Sequence, residues 1–79
     1  MNEDKLYRII GKNIKKYRLL YNQTHNDKIT QELLAETINS SVSLISSLES
    51  NKTNKGLSIN NLYKISIVLE IPVSKFFEE

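Results

Sequence analysis

The amino-acid sequence predicts an all-α fold, with five short helices forming a single domain over residues 1–79. Apolar residues recur at intervals of three and four along most of the chain, which is the spacing of one face of an α-helix. Glycine is scarce, and the one proline lies near the end, at position 72, so few positions interrupt a helix. We expect helices at about 5–21, 31–38, 42–49, 59–69 and 73–78, with a loop over 22–29.

The first predicted helix is amphipathic and strongly basic. Its apolar positions are spaced for one buried face and are Leu6, Ile10, Ile14, Tyr17 and Tyr21. Six of the eleven basic residues fall in the same segment, namely Lys5, Arg8, Lys12, Lys15, Lys16 and Arg18. For any single lysine of this helix, a solvated surface explains the pattern as well as a function does. The polar segment 22–28 is rich in turn formers and predicts a surface loop in which His25 is exposed and idle.

Residues 30–49 predict two short helices that meet at a tight turn. The residues that share a buried face in one helix or the other are Leu34, Ala35, Ile38, Ile45 and Leu48. Thr30 and Ser41 are placed to cap the free N–H groups at the two helix starts. Between the helices, Asn39 can adopt the left-handed backbone conformation that most residues avoid. This arrangement of two helices and a turn predicts a helix-turn-helix.

The same segment resembles a known signature. Thr30-Gln31-Glu32, Leu34-Ala35, Ile38, Ser41, Ile45-Ser46 and Leu48-Glu49 are similar to the motif of the lambda-repressor-like, Cro-type (XRE-type) helix-turn-helix family. The resemblance covers roughly Ile10 to Phe77, because Ser58, Leu62, Ile65, Leu69, Ile71 and Phe76-Phe77 fall where that family places its fourth and fifth helices. Residues 57–77 are also similar to the controller proteins of restriction–modification systems. The resemblance implies a transcriptional regulator that binds double-stranded DNA as a homodimer on a palindromic operator, either such a controller or a phage or mobile-element repressor.

The resemblance places the base-contacting surface on the third helix. The residues that it assigns to this role are Ser40, Ser41, Val42, Ser43, Ser46 and Ser47. None of them can make the two-pronged contacts to guanine or adenine that Arg, Lys, Asn and Gln make. We therefore expect weak direct readout, with specificity drawn partly from DNA shape and bridging water. The alternative is that this surface no longer contacts DNA.

Other roles follow from the same resemblance. It implies phosphate contacts from Gln31, at the start of the second helix, and from Lys52, Asn54 and Lys55, in the loop after the third helix. It also pairs Arg18 with Glu49 as a structural ion pair. Asn51 is suited to end the third helix in a left-handed conformation.

The last two predicted helices combine core and interface positions. Ser58 is placed to cap the fourth helix, and Pro72 ends it because proline cannot continue the backbone pairing. Residues expected to line the core are Ile59, Leu62, Ile65, Leu69 and Phe76. The remaining apolar surface is a candidate two-fold dimer interface formed by Tyr63, Ile71, Val73 and Phe77.

Composition excludes several other classes of protein. There is no cysteine, and one histidine cannot form a metal cluster by itself, so no metal and no cofactor are expected. No constellation of nucleophile and base is present, so we expect neither an enzyme nor a small-molecule substrate. No long apolar run occurs, and we expect a cytoplasmic protein without a membrane partner. The net charge of +2 is too small to indicate nucleic acid by itself. The competing interpretation is an antitoxin-like module that uses a helix-turn-helix scaffold to hold a protein partner.

Overall fold

The computed structural model describes residues 2–52 and 56–79. The described residues form four α-helices and one short 3-10 helix and contain no strand. These are α1 (Glu3–Thr24), α2 (Gln31–Thr37), α3 (Val42–Glu49), α4 (Ile59–Val68) and a C-terminal 3-10 helix (Val73–Phe77). The all-α prediction is confirmed. The prediction of a fifth α-helix is wrong in type, because the last element is wound more tightly and is only five residues long.

Helix α1 is longer than predicted at both ends. Asn2 caps its start by accepting a hydrogen bond of 2.8 Å from the backbone N–H of Lys5. At the other end, residues 22–24 continue the helix, and the Thr24 hydroxyl donates to the Tyr21 carbonyl at 3.2 Å. The polar composition of this segment predicted a loop. The prediction is wrong for residues 22–24, because neither glycine nor proline is present there to end the helix. The connection to α2 therefore begins only at His25.

Helices α2, α3 and α4 all end in a left-handed residue, at Asn39, Asn51 and Glu70, with φ of 55°, 64° and 59°. In each case the next amide donates back to a carbonyl in the last turn, which forms a Schellman motif. These bonds are Ser40 N to Ala35 O (2.8 Å), Lys52 N to Ser47 O (3.0 Å) and Ile71 N to Ser66 O (3.1 Å). The left-handed turns predicted at Asn39 and Asn51 are present. Helix α4 ends at Val68, close to the predicted end at about residue 69, and Glu70 makes the left-handed turn before Pro72.

The core contains apolar residues from all five elements and from the connections between them. It consists of Ile10, Ile14, Ile29, Leu34, Ala35, Ile38, Leu44, Ile45, Leu48, Leu57, Leu62, Ile65, Leu69 and Phe76. The prediction that Phe76 packs inside is confirmed, since its side chain has no exposed surface. The prediction for Ile59 is wrong, because 78% of this residue is exposed. Leu57, just before the helix, is buried instead.

A single glycine sets the distance between α1 and α3. A β-carbon built on Gly11 would lie 2.0 Å from the carbonyl oxygen of Leu48, which is far inside van der Waals contact. The two backbones therefore touch directly. Nearby, the buried side chain of Asn13 donates to the carbonyl oxygens of Phe76 (2.9 Å) and Glu78 (2.7 Å), which ties the 3-10 helix to α1.

We predict that Gly11→Ala lowers the free energy of unfolding by about 1–3 kcal/mol, because the new methyl group forces α1 away from α3. Glycine to alanine inside a helix ordinarily stabilises by roughly 0.5–1 kcal/mol, so the expected sign is the opposite of the intrinsic helix propensity. Chemical denaturation followed by circular dichroism measures the change. Lys12→Ala, at the next and exposed position of the same helix, is the control. A Gly11→Ala variant as stable as the wild type would contradict the close approach.

Candidate nucleic-acid interface

Helices α2 and α3 form a helix-turn-helix with capped starts. Thr30 accepts from the backbone N–H of Leu33 at 3.0 Å, and Ser41 accepts from that of Leu44 at 3.2 Å. At the start of each helix, the hydroxyl group of the capping residue thus accepts a hydrogen bond from a backbone amide that would otherwise be unpaired. Ala35 is buried on α2, and α2 packs against α3. The arrangement presents the N-terminal end of α3 as a rigid, uncharged surface.

The predicted base-contacting residues lie on the outward side of this surface. Ser41, Val42 and Ser43 are exposed, and Ser40, Ser46 and Ser47 are partly buried. The inward side is made of Leu44, Ile45 and Leu48, all of them buried. Leu44 was not among the residues predicted for the core, although its spacing of four from Leu48 indicates the same face. None of the six candidate residues is sealed inside the protein.

Arg18 and Glu49 form a two-pronged ion pair between α1 and the end of α3. Arg18 Nε donates to Glu49 Oε2, and Arg18 Nη2 donates to Glu49 Oε1, both at 2.8 Å. The two side chains are only 13% and 2% exposed. The hydrogen bond to Glu49 raises the pKa of the Arg18 guanidinium above its ordinary value, although burial opposes this shift. Arg18 is therefore positively charged at neutral pH, as its ion pair with Glu49 requires.

Two further contacts connect this ion pair to the start of α2. Arg18 Nη1 donates to the carbonyl of Ile29 at 3.2 Å, and Gln31 Nε2 donates to Glu49 Oε1 at 3.0 Å. Asn22 binds the same backbone, accepting from Ile29 N (2.7 Å) and donating to Ile29 O (2.9 Å). Gln31 is therefore partly buried and internally bound, so only the rest of its amide is left for the phosphate contact predicted for it.

The loop after α3 is described only in part. Lys52 is exposed directly after the left-handed turn at Asn51. The other predicted phosphate contacts of this loop, Asn54 and Lys55, lie outside the described residues.

The prediction that His25 is exposed and idle is wrong. Its ring is stacked on that of Tyr21, with the centroids 3.7 Å apart, and Nδ1 lies 2.9 Å from the Thr24 hydroxyl. Nε2 lies 3.6 Å from a carboxylate oxygen of Glu70, at the left-handed turn after α4. These contacts fix the start of the connection between α1 and α2. The contact with Glu70 depends on tertiary structure, and sequence composition gives no sign of it.

The predicted dimer residues do not all lie on one surface. Tyr63, Val73 and Phe77 line an apolar depression of about 590 Å³ together with Ile59, Asn60 and Leu62. Ile71 is partly buried and lines a different depression with Tyr21 and His25. Sequence analysis missed Ile59 and Ile67, which are 78% and 58% exposed. They lie one turn of α4 before and after Tyr63, so the outer face of α4 has an apolar stripe at every fourth residue.

Comparison with known families supports this description. A helix-turn-helix family model matches residues 26–76, from the connection before α2 into the C-terminal 3-10 helix. The match therefore covers both helices of the motif, α4 and most of the 3-10 helix, and it begins after the end of α1. No individual curated protein matches the chain. Among the described residues, no helix is long and apolar enough to cross a lipid bilayer.

We predict that Arg18→Ala lowers the free energy of unfolding by about 3–5 kcal/mol, because it leaves the Glu49 carboxylate buried without its partner. Thermal melting measures the loss. The double variant Arg18→Met/Glu49→Leu should recover much of it, since replacing a buried pair by apolar residues of similar volume is often neutral. An Arg18→Ala variant that melts with the wild type would show that the pair does not stabilise the fold.

Proposed function

Because the chain belongs to the XRE-type, lambda-repressor-like helix-turn-helix family, we propose that it is a sequence-specific transcriptional regulator that binds double-stranded DNA as a homodimer. The observation that carries the proposal is the outward surface of α3. Its start is exposed and uncharged at Ser41, Val42 and Ser43, and its opposite face is anchored in the core. Such a helix fits the major groove of DNA, whose width admits one α-helix. Its role is binding and involves no catalysis.

In this proposal the serine hydroxyls and Val42 contact the base edges. A hydroxyl both donates and accepts, so it discriminates poorly between bases, and a valine methyl group can contact the thymine methyl. Ser40, Ser46 and Ser47 widen the contact on either side of the exposed residues. Sequence preference then comes partly from the shape of the DNA and from bridging water.

The DNA backbone is held from both sides of α3. Gln31 and the free amides at the start of α2 lie on one side, where the positive end of the helix dipole favours a phosphate. On the other side, Lys52 follows α3. Asn54 and Lys55, which lie outside the described residues, are the further phosphate contacts that the family resemblance implies. If a dimer makes ~6–10 phosphate contacts, its affinity falls about 10³–10⁵-fold between roughly 50 and 200 mM salt.

A second copy of the chain is the proposed occupant of the apolar surface on α4 and the 3-10 helix. Tyr63, Val73 and Phe77 line its depression, and Ile59, at the same depression, is 78% exposed and projects from its edge. A surface on which a projecting side chain lies next to a depression can be complementary to its own copy across a two-fold axis, as an isologous dimer requires. Ile71, assigned to this interface from sequence, would contribute only at its edge.

A two-fold dimer would determine the kind of operator. It would present two copies of α3, and a separation of about 34 Å, one turn of DNA, suits a palindromic sequence. The similarity of residues 57–77 to restriction–modification controllers favours that biological setting, and a phage or mobile-element repressor is the alternative.

We predict that selection from random DNA enriches a palindromic sequence. Lys52→Ala should weaken binding to every duplex equally, because a phosphate contact carries no sequence information. Ser43→Ala should change the preferred sequence, because it removes a hydroxyl from the base-contacting surface. Titration of both variants against the selected and an unrelated duplex separates the two effects. Enrichment of no sequence would favour the antitoxin-like interaction module instead.

We predict that the protein sediments as a dimer and that Tyr63→Ser weakens dimerisation more than tenfold. A buried tyrosine at an interface commonly contributes about 2 kcal/mol or more, and a two-fold interface contains two copies. Leu19→Ser is the matched control, since Leu19 on α1 is a similarly exposed apolar residue at 43%. Sedimentation equilibrium measures all three proteins. A wild-type monomer at high concentration would reject the dimer.

A further inference from the structure

We propose that one flank of α1, formed by Arg8 and Lys15, binds the phosphodiester backbone of the DNA and adds to the phosphate contact proposed for Lys52. The inference rests on the proposed function, because it assigns part of the DNA contact to a helix outside the helix-turn-helix. Both side chains are exposed, and within the described part of the chain neither forms an ion pair or a side-chain hydrogen bond.

The helix-turn-helix itself has the wrong charge for a polyanion. Residues 31–49 contain three acidic residues, Glu32, Glu36 and Glu49, and no basic one. Arg18 neutralises Glu49, but Glu32 and Glu36 are exposed. A surface that approaches DNA must neutralise phosphates with Lys or Arg, since this electrostatic contribution dominates affinity. The positive charge must therefore come from elements next to α2 and α3.

Helix α1 is the richest source of that charge. Between residues 5 and 24 it contains six basic residues and no acidic one. Arg8, Lys12, Lys15 and Lys16 are all exposed. Because they lie at different angles around the helix, they do not all face the same neighbour.

Two contacts show which flank of α1 faces α3. Gly11 touches the backbone of Leu48, and Arg18 binds Glu49, so the side of α1 that contains residues 11 and 18 rests on the C-terminal end of α3. Arg8 lies three residues before Gly11, and Lys15 lies four residues after it. Residues at these separations are neighbours on a helix surface. Both basic side chains therefore border the end of α3.

Lys52 belongs to the same neighbourhood. It follows α3 directly, and its amide donates to the Ser47 carbonyl at 3.0 Å, which keeps it close to the last turn of the helix. The positions of Arg8, Lys15 and Lys52 thus all lie near the end of α3 at which the loop proposed to bind phosphates begins. An array of guanidinium and ammonium groups at that end fits a row of phosphates beside the groove.

Two other exposed bases of α1, Lys12 and Lys16, lie on a different flank. Lys12 and Lys16 line a polar depression with Glu78 and Glu79, whose carboxylates form ion pairs with Lys75 and Lys5. The ammonium group of Lys16 also lies 5.2 Å from the centre of the Tyr17 ring, in cation–π contact. These two lysines provide a matched control, because they lie on the same helix as Arg8 and Lys15 and carry the same total charge.

The test compares Arg8→Gln/Lys15→Gln with Lys12→Gln/Lys16→Gln. The dissociation constant is measured for the DNA sequence that selection enriches and for an unrelated duplex, at several salt concentrations. Each lost phosphate contact lowers the slope of log K against log salt by about 0.9, so the first variant should lose about 1.8 per protomer on both duplexes. The second variant should keep the wild-type slope. Arg8→Lys/Lys15→Arg, which keeps both charges, should keep it too.

The outcomes separate the two levels of the proposal. A wild-type protein that binds no duplex rejects the proposed function, and the role of α1 with it. If the wild type binds but Arg8→Gln/Lys15→Gln keeps its slope, or both glutamine variants lose the same slope, the flank has no special role and only the present inference is overturned. Thermal melting of each variant verifies that the fold is intact, which the exposure of all four side chains leads us to expect.

Discussion

The ion pair between Arg18 and Glu49 is the contact on which the arrangement of the helix-turn-helix depends. It joins the middle of α1 to the end of α3, and it also holds the start of α2 through Ile29 and Gln31. Burying two charges costs several kcal/mol for each ion, and geometry of this quality is needed to offset that cost. The Glu49 carboxylate receives three hydrogen bonds, from two residues on two different helices. The angle between α2 and α3 is thus fixed by charge as well as by apolar packing.

Local chemistry made much of the fold predictable from sequence. The caps at Thr30, Ser41 and Ser58 and the left-handed turns at Asn39 and Asn51 depend on residues within a few positions of one another. The periodicity of the apolar residues likewise indicated most of the core. Gly11 and Asn13 could not be interpreted in this way, because their partners are distant in sequence, and the same holds for the contact of His25 with Glu70. Their roles exist only once α1 has packed against α3, the 3-10 helix and the turn after α4.

The candidate site was predictable to a similar extent. Helix periodicity and family resemblance together placed Ser41, Val42 and Ser43 on the outside of α3, where they lie. Sequence also showed that α1 is basic, but it gave no means to divide its charges between two flanks. That division follows from the contact between Gly11 and Leu48 and from the acidic residues at positions 78 and 79. The partial burial of Gln31 beside Glu49 also results from tertiary packing, so the sequence did not indicate it.

The backbone contact at Gly11 has a consequence for how any duplex is accommodated. At Gly11 no side chain separates α1 from α3, and the two-pronged ion pair of Arg18 with Glu49 joins the same two helices, so α3 has little room to shift or tilt against α1. We expect the protein to act as a stiff template, so that fitting a ligand falls mainly to the nucleic acid. Base steps that bend at little elastic cost would then be favoured even where no side chain reaches them.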